Sequence, residues 1–356
     1  MLFGGDILKT AISLFTGAGG MDIGFEKAGF NIIFSNEIMK NACDTYIKNH
    51  PNANMIFGDI NLNLDKLSNY NDVDLVFGGP PCQGFSVAGK MNPNDERSQL
   101  IFTFLKVVEI VKPKMFVMEN VKALGVLGKW DEVRKKYMDI VESLGYICKP
   151  ILLNATEYNV SQKRERVFFI GVKKEYSDGF AESINSLIEK HKSRAKSVRE
   201  LLKDLGRAGT STNPLTCTAK ITFASNPVMR KSPYSGMYFN GQGRPINVDS
   251  YANTLPASMG GNKTPFVDEE YLYGSAEEDW VVSYHKGLLD KSIKPIFEEA
   301  PSRLRRITVR EAARIQSFPD DYVFCGKSSQ IYTQIGNAVP PRLAEAVARA
   351  VFEYLK

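Results

Sequence analysis

The first 150 residues repeat one pattern, in which a short apolar segment leads through a turn into an amphipathic segment. Apolar segments of strand length begin near residues 11, 31, 55, 73 and 115. The segment from 98 to 111 carries apolar residues at helical spacing, and two strand-like segments, 147–153 and 166–172, follow. Repeated βα units of this kind predict an α/β fold with a doubly wound, mostly parallel sheet, closed by an antiparallel pair.

The pattern changes after about residue 174, so we predict two domains. From 206 to about 268 the chain is rich in Gly, Ser, Thr, Asn and Pro, with short strand-like pieces. Regular structure returns where Thr308 and Glu311 have the types and spacing of a capping box at the start of a helix from 309 to 316, and a last helix runs from 342 to 354. We assign 1–185, completed by 327–356, to the first domain and 186–326 to a second, smaller and irregular one.

Composition excludes several classes of protein. The 356 residues are 43% hydrophobic and 24% charged, which is typical of a globular chain with a large core. The apolar runs are too short for a membrane span, and the N-terminus lacks the pattern of a signal peptide. The five cysteines are scattered without a CxxC pair and the three histidines lie far apart, which predicts a cytoplasmic protein without disulfides or a metal site.

The net charge of +5 is unevenly distributed. Ten Lys and Arg residues lie between 190 and 231, and five arginines lie between 303 and 314 with one acid, Glu311. A solvated surface is one interpretation of each cluster. A partner with a phosphate backbone is the other.

A cysteine follows the fourth of the apolar strands, in the sequence Gly78-Gly79-Pro80-Pro81-Cys82-Gln83-Gly84-Phe85-Ser86. A lone cysteine in a tight turn is commonly just buried. Two glycines and two prolines form a sharp, stiff lead-in that a buried thiol does not need. Open α/β sheets place their chemistry at such strand ends, so the pattern favours a nucleophile.

The first turn, Gly17-Ala18-Gly19-Gly20, lies where α/β proteins bind nucleotides. A tight turn without a ligand is the simpler interpretation. However, Glu37 lies 20 residues after Gly17, at the end of the second strand, where a carboxylate can accept from ribose hydroxyls. Asp59 and Ile60 end the third strand and can line the same crevice. The chain lacks both the third glycine of the dinucleotide motif and a P-loop, which favours an adenosyl ligand without phosphates, such as S-adenosylmethionine.

The chain resembles the DNA (cytosine-5)-methyltransferases, the modification enzymes of bacterial type II restriction systems. The resemblance covers the chain except for about 175–300. It rests on seven motifs in family order: Ser13-Leu14-Phe15-Thr16-Gly17-Ala18-Gly19-Gly20-Met21-Asp22, Asn36-Glu37, Gly58-Asp59-Ile60, Pro80-Pro81-Cys82, Met118-Glu119-Asn120-Val121, Gln162-Lys163-Arg164-Glu165-Arg166 and Gln334-Ile335-Gly336-Asn337.

The resemblance implies a Rossmann-like catalytic domain, S-adenosylmethionine as the methyl donor and a catalytic role for four residues. Cys82 is the expected nucleophile at carbon 6 of cytosine. Glu119 is the expected acid at ring nitrogen 3, provided that burial raises its pKa. Arg164 and Arg166 are expected near the target base and its phosphate. With Gln162 they are spaced two apart, so an extended segment would present all three on one face.

The resemblance also implies binding residues and a role for the second domain. The expected cofactor contacts are Phe15, Gly17, Gly19, Glu37, Asp59, Ile60, Pro80, Leu100 and Asn337. A lid over DNA is expected between Gln83 and Gln99. Residues 186–326 would recognise the target sequence, and the expected DNA contacts are Ser86, Arg97, Thr254 and Leu255.

The predicted function is methylation of a flipped-out cytosine in a short, specific sequence of double-stranded DNA. We expect a monomer in the cytoplasm, without a membrane partner, that acts on the same site as a cognate restriction endonuclease. Three alternatives remain at this stage: a tRNA-methylating member of the superfamily, a catalytically idle DNA-binding relative, and a nicotinamide oxidoreductase. The intact Cys82 and Glu119 disfavour the idle relative, and the missing third glycine disfavours the oxidoreductase.

Overall fold

The computed structural model describes residues 9–81 and 99–356, which form two compact units. The first unit contains the described residues of Met1–Tyr158 together with Glu165–Ser193 and Val339–Lys356. The second contains Asn159–Arg164 and Arg194–Ala338. No helix within the two described ranges is long and apolar enough to cross a membrane.

A seven-stranded sheet forms the centre of the first unit. Its strands are β1 (Lys9–Leu14), β2 (Phe30–Glu37), β3 (Met55–Phe57), β4 (Leu75–Gly78), β5 (Met115–Val121), β6 (Tyr146–Asn154) and β8 (Glu165–Lys173). Their order is β3-β2-β1-β4-β5-β8-β6. The first five are parallel, whereas β8 is antiparallel to β5 and β6. The predicted doubly wound sheet and its closing antiparallel pair are confirmed. The carboxyl ends of β1 to β5 therefore share one edge.

Helices cover this sheet because their apolar faces pack on it. They are α1 (Gly20–Ala28), α2 (Lys40–Asn49), α3 (Leu100–Val111), α4 (Lys122–Val126), α5 (Asp131–Ser143), α6 (Phe180–Glu189) and α12 (Pro341–Tyr354). Helix α3 buries Ile101, Phe104, Leu105 and Val108, four of the residues at helical spacing. The C-terminal helix α12 returns to this unit, where Phe352 packs edge-on against Phe30 with ring centroids 5.3 Å apart.

The second unit consists of short elements around an aromatic core. Its strands form three two-stranded pairs, β7 (Gln162–Lys163) with β11 (Ala252–Asn253), β9 (Phe223–Val228) with β10 (Met237–Phe239), and β12 (Phe266–Asp268) with β13 (Leu304–Arg306). Its helices are α7 (Val198–Leu202), α8 (Glu269–Leu272), α9 (Trp280–Leu289), α10 (Val309–Ile315) and α11 (Ser328–Asn337). Helix α10 starts with the capping box predicted from Thr308 and Glu311. The rings of Phe223, Phe239, Phe266 and Tyr284 pack in the core.

The units differ in extent from the two domains assigned by sequence. The first unit extends to Ser193 and resumes at Val339, because the second unit includes α11. Helix α11 packs closely on the chain near Pro256, since a Cβ added at Gly336 would lie 2.6 Å from the carbonyl oxygen of Pro256. The division of labour between 1–185 with 327–356 and 186–326 concerns function and stays a prediction.

Candidate active site

The turn after β1 is built from backbone conformations that few residues adopt. Phe15 has a φ of 54°, which is an uncommon left-handed conformation for a bulky side chain. Gly17 and Gly19 follow with φ of 54° and 78°, and α1 starts directly after them. Glycine reaches such angles without a steric penalty, which explains the glycines of this motif. Backbone strain of this kind commonly occurs at functional sites.

The carboxylate of Glu37 holds this turn from the end of β2. One oxygen, Oε2, accepts a hydrogen bond from the Gly17 amide at 2.8 Å, while Oε1 accepts from the amides of Ile38 and Met39 at 2.9 and 2.8 Å. Burial raises the pKa of Glu37, against the effect of the three amide donors. The 20-residue spacing between Gly17 and Glu37 thus corresponds to a direct contact.

Asp59 and Ile60 follow β3 at the same edge and differ in environment. Oδ1 of Asp59 accepts from the backbone and side-chain nitrogens of Asn61 at 2.9 and 3.0 Å. Oδ2 of Asp59 has no hydrogen-bond partner among the described residues. The Ile60 side chain is buried in the core of the first unit.

The segment that leads to Cys82 lies beside the end of β5. The carbonyl oxygen of Pro80 accepts a hydrogen bond from Nδ2 of Asn120 at 3.2 Å. A Cβ added at Gly79 would lie 3.1 Å from Oε2 of Glu119. Parallel pairing of β4 and β5, with Gly78 opposite Met118, explains this proximity. The described chain therefore brings Pro80, Asn120 and Glu119 together.

Glu119 is paired with Arg166 of β8. In the antiparallel register Glu119 lies opposite Phe168 and Val121 lies opposite Arg166, so Glu119 and Arg166 are diagonal neighbours on one face. Nε of Arg166 lies 2.8 Å from Oε1 of Glu119, and the two side chains are only 14% and 10% exposed. The strand register therefore fixes the position of the Glu119 carboxylate through the Arg166 guanidinium.

Gln162 and Arg164 take a different path from Arg166, which corrects the expectation of one shared face. Both belong to the second unit, where Gln162 accepts from the Leu255 amide at 2.9 Å and Arg164 donates to the Gly336 carbonyl oxygen at 3.0 Å. The strand is interrupted at Arg164, because β7 pairs with β11 and only β8 joins the large sheet. Arg164 itself is 2% exposed.

The Thr254–Leu255 segment is anchored to the same part of the second unit. Oγ1 of Thr254 donates to the Lys163 carbonyl oxygen at 2.7 Å. Leu255 is buried, with 1% exposure, so its side chain packs inside the unit. Both contacts indicate that this segment supports neighbouring structure.

Five further residues predicted for the site lie on helices of the two units or outside the described residues. Leu100 is the first residue of α3 in the first unit, whereas Asn337 is the exposed last residue of α11 in the second. Cys82, Ser86 and Arg97 lie outside the described residues. Within the described residues, no group of His, Cys, Asp and Glu side chains could hold a metal ion.

The arginines at 303–314 form contacts inside the protein. This corrects the interpretation of the cluster as a binding surface for a phosphate backbone. Arg303 pairs with Asp268, Arg305 with Glu269 and Glu311, and Arg314 with Asp204 and Asp320. Arg306 is 1% exposed and donates to the Thr264 carbonyl oxygen at 2.7 Å. Arg310 donates to carbonyl oxygens of Pro319 and Tyr322. These arginines hold the second unit together and form no open basic surface.

The sequence analysis did not identify three exposed apolar side chains that lie at or shortly after the ends of β2 and β3. Ile38 directly follows Glu37 and is 61% exposed, Phe57 ends β3 and is 56% exposed, and Leu62 is 81% exposed. An apolar residue after an acid at a strand end was the available signal, but a sequence does not reveal exposure. Such side chains are suited to contact a planar ring.

Comparison with known proteins decides the family. The model of the C-5 cytosine-specific DNA methylase family matches residues 9–353. The chain belongs to this family.

The relatives of this methylase include two type II methyltransferases. It is 34% identical to M1.HphI of Haemophilus parahaemolyticus over 97% of this chain and 87% of that protein. It is also 34% identical to M.Eco47II of Escherichia coli, over 97% and 79% of the two chains. The solved structure of the Entamoeba histolytica methyltransferase EhMeth has the same fold, with a TM-score of 0.67, 17% identity and coverage of 99% and 100%. The methylase is thus a DNA (cytosine-5)-methyltransferase, which excludes the nicotinamide oxidoreductase.

Proposed function

We propose that this methylase transfers a methyl group from S-adenosylmethionine to carbon 5 of a flipped-out cytosine, in one short sequence of duplex DNA, through a covalent Cys82 adduct. One observation carries the proposal. The buried Glu119, paired with Arg166, lies beside the Gly79–Pro80 segment that leads directly to Cys82. An acid and a thiol from neighbouring strand ends are the two groups that the reaction requires.

The edge formed by β1, β2 and β3 fits an adenosyl group. The turn is open at Gly17, since among the described residues, its two chain neighbours apart, no atom lies within 4 Å of an added Cβ. Glu37 and Oδ2 of Asp59 are suited to accept hydrogen bonds from hydroxyls, and Ile38 offers an apolar surface to the adenine. When bound, S-adenosylmethionine would supply an electrophilic methyl group on a sulfonium. The sequence lacks the third glycine of the dinucleotide motif and a P-loop, which favours a ligand without phosphates.

The chemistry of the protein groups follows from the reactivity of cytosine. Carbon 5 is a weak nucleophile until the Cys82 thiolate adds to carbon 6, which makes carbon 5 enamine-like. Glu119 as an acid would donate a hydrogen bond or proton to ring nitrogen 3 and stabilise the charge that the addition creates there. After methylation, a base removes the proton from carbon 5, and the electron pair expels the thiolate and restores the aromatic ring. Arg166 holds Glu119 in place throughout.

A cytosine within a duplex is out of reach of Cys82, so the base must leave the stack. We assign target choice to 186–326, with Ser86, Arg97 and Thr254 as DNA contacts inferred from the resemblance, whereas the buried Leu255 would act by positioning Thr254. The anchoring of Thr254 and Leu255 on 162–163 supports a positioning role for this pair. The type II relatives support a partner restriction endonuclease for the same site, and we propose a cytoplasmic monomer.

A mechanism-based trap tests the covalent step. A duplex with 5-fluorocytosine at the methylated position has fluorine where the final proton would leave, so the adduct cannot eliminate. The wild type with S-adenosylmethionine should form a complex that survives denaturing electrophoresis, and Cys82→Ala should form none. A trapped complex with Cys82→Ala, or methylation of normal DNA by that variant at the wild-type rate, would remove Cys82 from the mechanism.

A further inference from the structure

The basic cluster at 190–231 contains cations that form ion pairs inside the protein and cations that remain available to bind a partner. Within the described residues, five of its ten cations form ion pairs, namely Lys190, Lys192, Arg199, Arg207 and Lys220. Three others, Arg194, Lys196 and Lys203, flank α7, which contains Glu200 and is followed by Asp204. Arg230 and Lys231 remain as adjacent cations, and neither forms an ion pair or a side-chain hydrogen bond within 9–81 and 99–356.

Arg230 and Lys231 lie in the turn between β9 and β10, which we call the hairpin tip (residues 229–236). Both residues are exposed. The two strands pair antiparallel, with Phe239 opposite Phe223, and both rings lie in the aromatic core of the unit. Arg230 and Lys231 thus lie side by side in a turn between two strands, β9 and β10, that are anchored in the core.

The hairpin tip is held from beneath by buried polar side chains. The Tyr238 hydroxyl accepts from the Gly236 amide at 3.2 Å and donates to the Ser232 carbonyl oxygen at 3.1 Å, while Tyr238 is fully buried. A ring nitrogen of the buried His285 on α9 donates to the carbonyl oxygen of Arg230 at 2.9 Å.

A third contact fastens the middle of the tip. The Tyr234 hydroxyl donates to Oδ2 of the buried Asp279 at 3.0 Å. The backbone that carries Arg230 and Lys231 is therefore ordered before any partner binds, so less conformational entropy is lost on binding.

We propose that the hairpin tip contacts phosphates of the duplex DNA through Arg230 and Lys231, and so positions the target in the second unit. The inference rests on the proposed function, since it names which part of 186–326 binds the DNA backbone. Phosphate is the favoured ligand because neither cation has an ion-pair partner among the described residues, so neither has to break such a pair to bind. Contacts to phosphates fix the register of a protein on DNA without reading sequence.

Equilibrium binding as a function of salt tests this inference. Each phosphate contact contributes about 0.9 to the slope of log K against log salt, which corresponds to roughly eightfold in affinity at 0.1 M salt. The double variant Arg230→Gln/Lys231→Gln should lower the magnitude of the slope by about 1.8. The matched control Lys291→Gln/Lys294→Gln removes two exposed charges of the same unit that form no ion pair with a described residue, and it should leave the slope almost unchanged.

The comparison of two duplexes distinguishes phosphate contact from base reading. One duplex contains the sequence that the wild type methylates, and the other has that sequence scrambled. Loss of phosphate contacts should weaken binding to both duplexes by the same factor. A loss confined to the methylated sequence would overturn the inference in favour of base reading, and equal slopes for the tip variant and the wild type would overturn it outright.

A second variant pair tests the support of the tip without removing charge. Tyr238→Phe removes the hydroxyl that orders Gly236 and Ser232, and it should weaken DNA binding while leaving the salt slope intact. Tyr273→Phe is the control, because its hydroxyl bonds the Gly206 carbonyl oxygen elsewhere in the unit. Equal affinities of the two variants would contradict the supporting role of Tyr238.

The experiment separates this inference from the proposed function. If the hairpin tip does not contact phosphates but the proposed function is right, both charge variants bind DNA like the wild type and methylate it normally. If the function is wrong, the wild type itself neither binds duplex DNA tightly nor methylates it.

Discussion

Glu119 on β5 and Arg166 on β8 meet diagonally across an antiparallel strand pair, with Nε of the arginine 2.8 Å from Oε1 of the glutamate. The acid at the candidate active site is therefore fixed by the strand pair that closes the large sheet. Lys122 and Glu165 form a second ion pair nearby, at 2.9 Å, but their side chains are 46% and 42% exposed. The two pairs offer a matched comparison of a buried and an exposed contact.

Arg166→Leu should destabilise the protein far more than Lys122→Leu. Removal of one partner of a buried ion pair leaves a buried charge uncompensated and costs about 3–5 kcal/mol, whereas exposed pairs contribute about 0–1 kcal/mol. Urea denaturation of both variants measures the difference. Similar free energies of unfolding would show that the pair at Glu119 contributes no more than a surface contact.

Glu119→Gln, which keeps the shape of the acid, should lower the methylation rate far more than the affinity for DNA.

Glu37→Ala should weaken binding of S-adenosylmethionine. The variant loses the acceptor for the ribose hydroxyls and the contacts that hold Gly17, Ile38 and Met39. A hydrogen bond to a charged group contributes about 1.5–3 kcal/mol, or roughly ten- to 150-fold in Kd. Calorimetry measures the change, with the exposed Asp65→Ala as the control. DNA binding without the cofactor should hardly change, and an unaltered cofactor Kd would contradict the assignment of Glu37.

Asp22 predicts a dependence of stability on pH. The residue lies fully buried in the first turn of α1, where Oδ1 accepts from the Tyr46 hydroxyl at 2.9 Å. Burial raises the pKa of Asp22 from 3.8 to about 6. The folded state therefore binds this proton more tightly than the unfolded state. The stabilisation is complete below pH 3.8 and is lost as the pH rises through about 6.

Asp22→Asn should remove this loss, because an amide does not titrate. Between pH 4.5 and 7.5 the wild type should lose about 2 kcal/mol relative to Asp22→Asn, at about 1.4 kcal/mol per pKa unit. Chemical denaturation across this range tests it, with the exposed Asp139→Asn as a variant that should follow the wild type. Parallel curves for the wild type and Asp22→Asn would show that burial of Asp22 has no effect on its titration.

Gly336→Ala should destabilise the second unit. An added Cβ would lie 2.6 Å from the Pro256 carbonyl oxygen and 2.7 Å from the Ala257 backbone, and backbone cannot move aside as a flexible side chain can. Overpacking of this kind costs about 1–3 kcal/mol. Gly261→Ala is the control, since no atom lies within 4 Å of its added Cβ. Equal melting temperatures would show that α11 and Pro256 separate without cost.

The sequence predicted those parts of the site that depend on the ends of consecutive strands. The contact between Gly17 and Glu37 follows from the βα pattern, because parallel strands place their carboxyl ends at one edge. The proximity of Glu119 to the Pro80 segment follows for the same reason. The left-handed conformation of Phe15 was beyond prediction, since bulky residues rarely adopt it.

Contacts that depend on distant parts of the chain were not predictable. Spacing of two placed Gln162, Arg164 and Arg166 on one face, but β7 pairs with β11, which lies 90 residues along the chain. In the sequence, the arginines at 303–314 indicate a basic surface, because their ion-pair partners, such as Asp204 and Asp268, are far away along the chain. Which cations remain available, such as Arg230, can be decided only from the folded chain.

The most direct test follows the methyl group itself. The protein is incubated with labelled S-adenosylmethionine and either plasmid DNA or tRNA, and the modified base is identified and mapped. The account predicts that label enters DNA alone, as 5-methylcytosine at one short sequence, and that Cys82→Ala transfers none. Label in tRNA, or on an exocyclic amine of a DNA base, would contradict it.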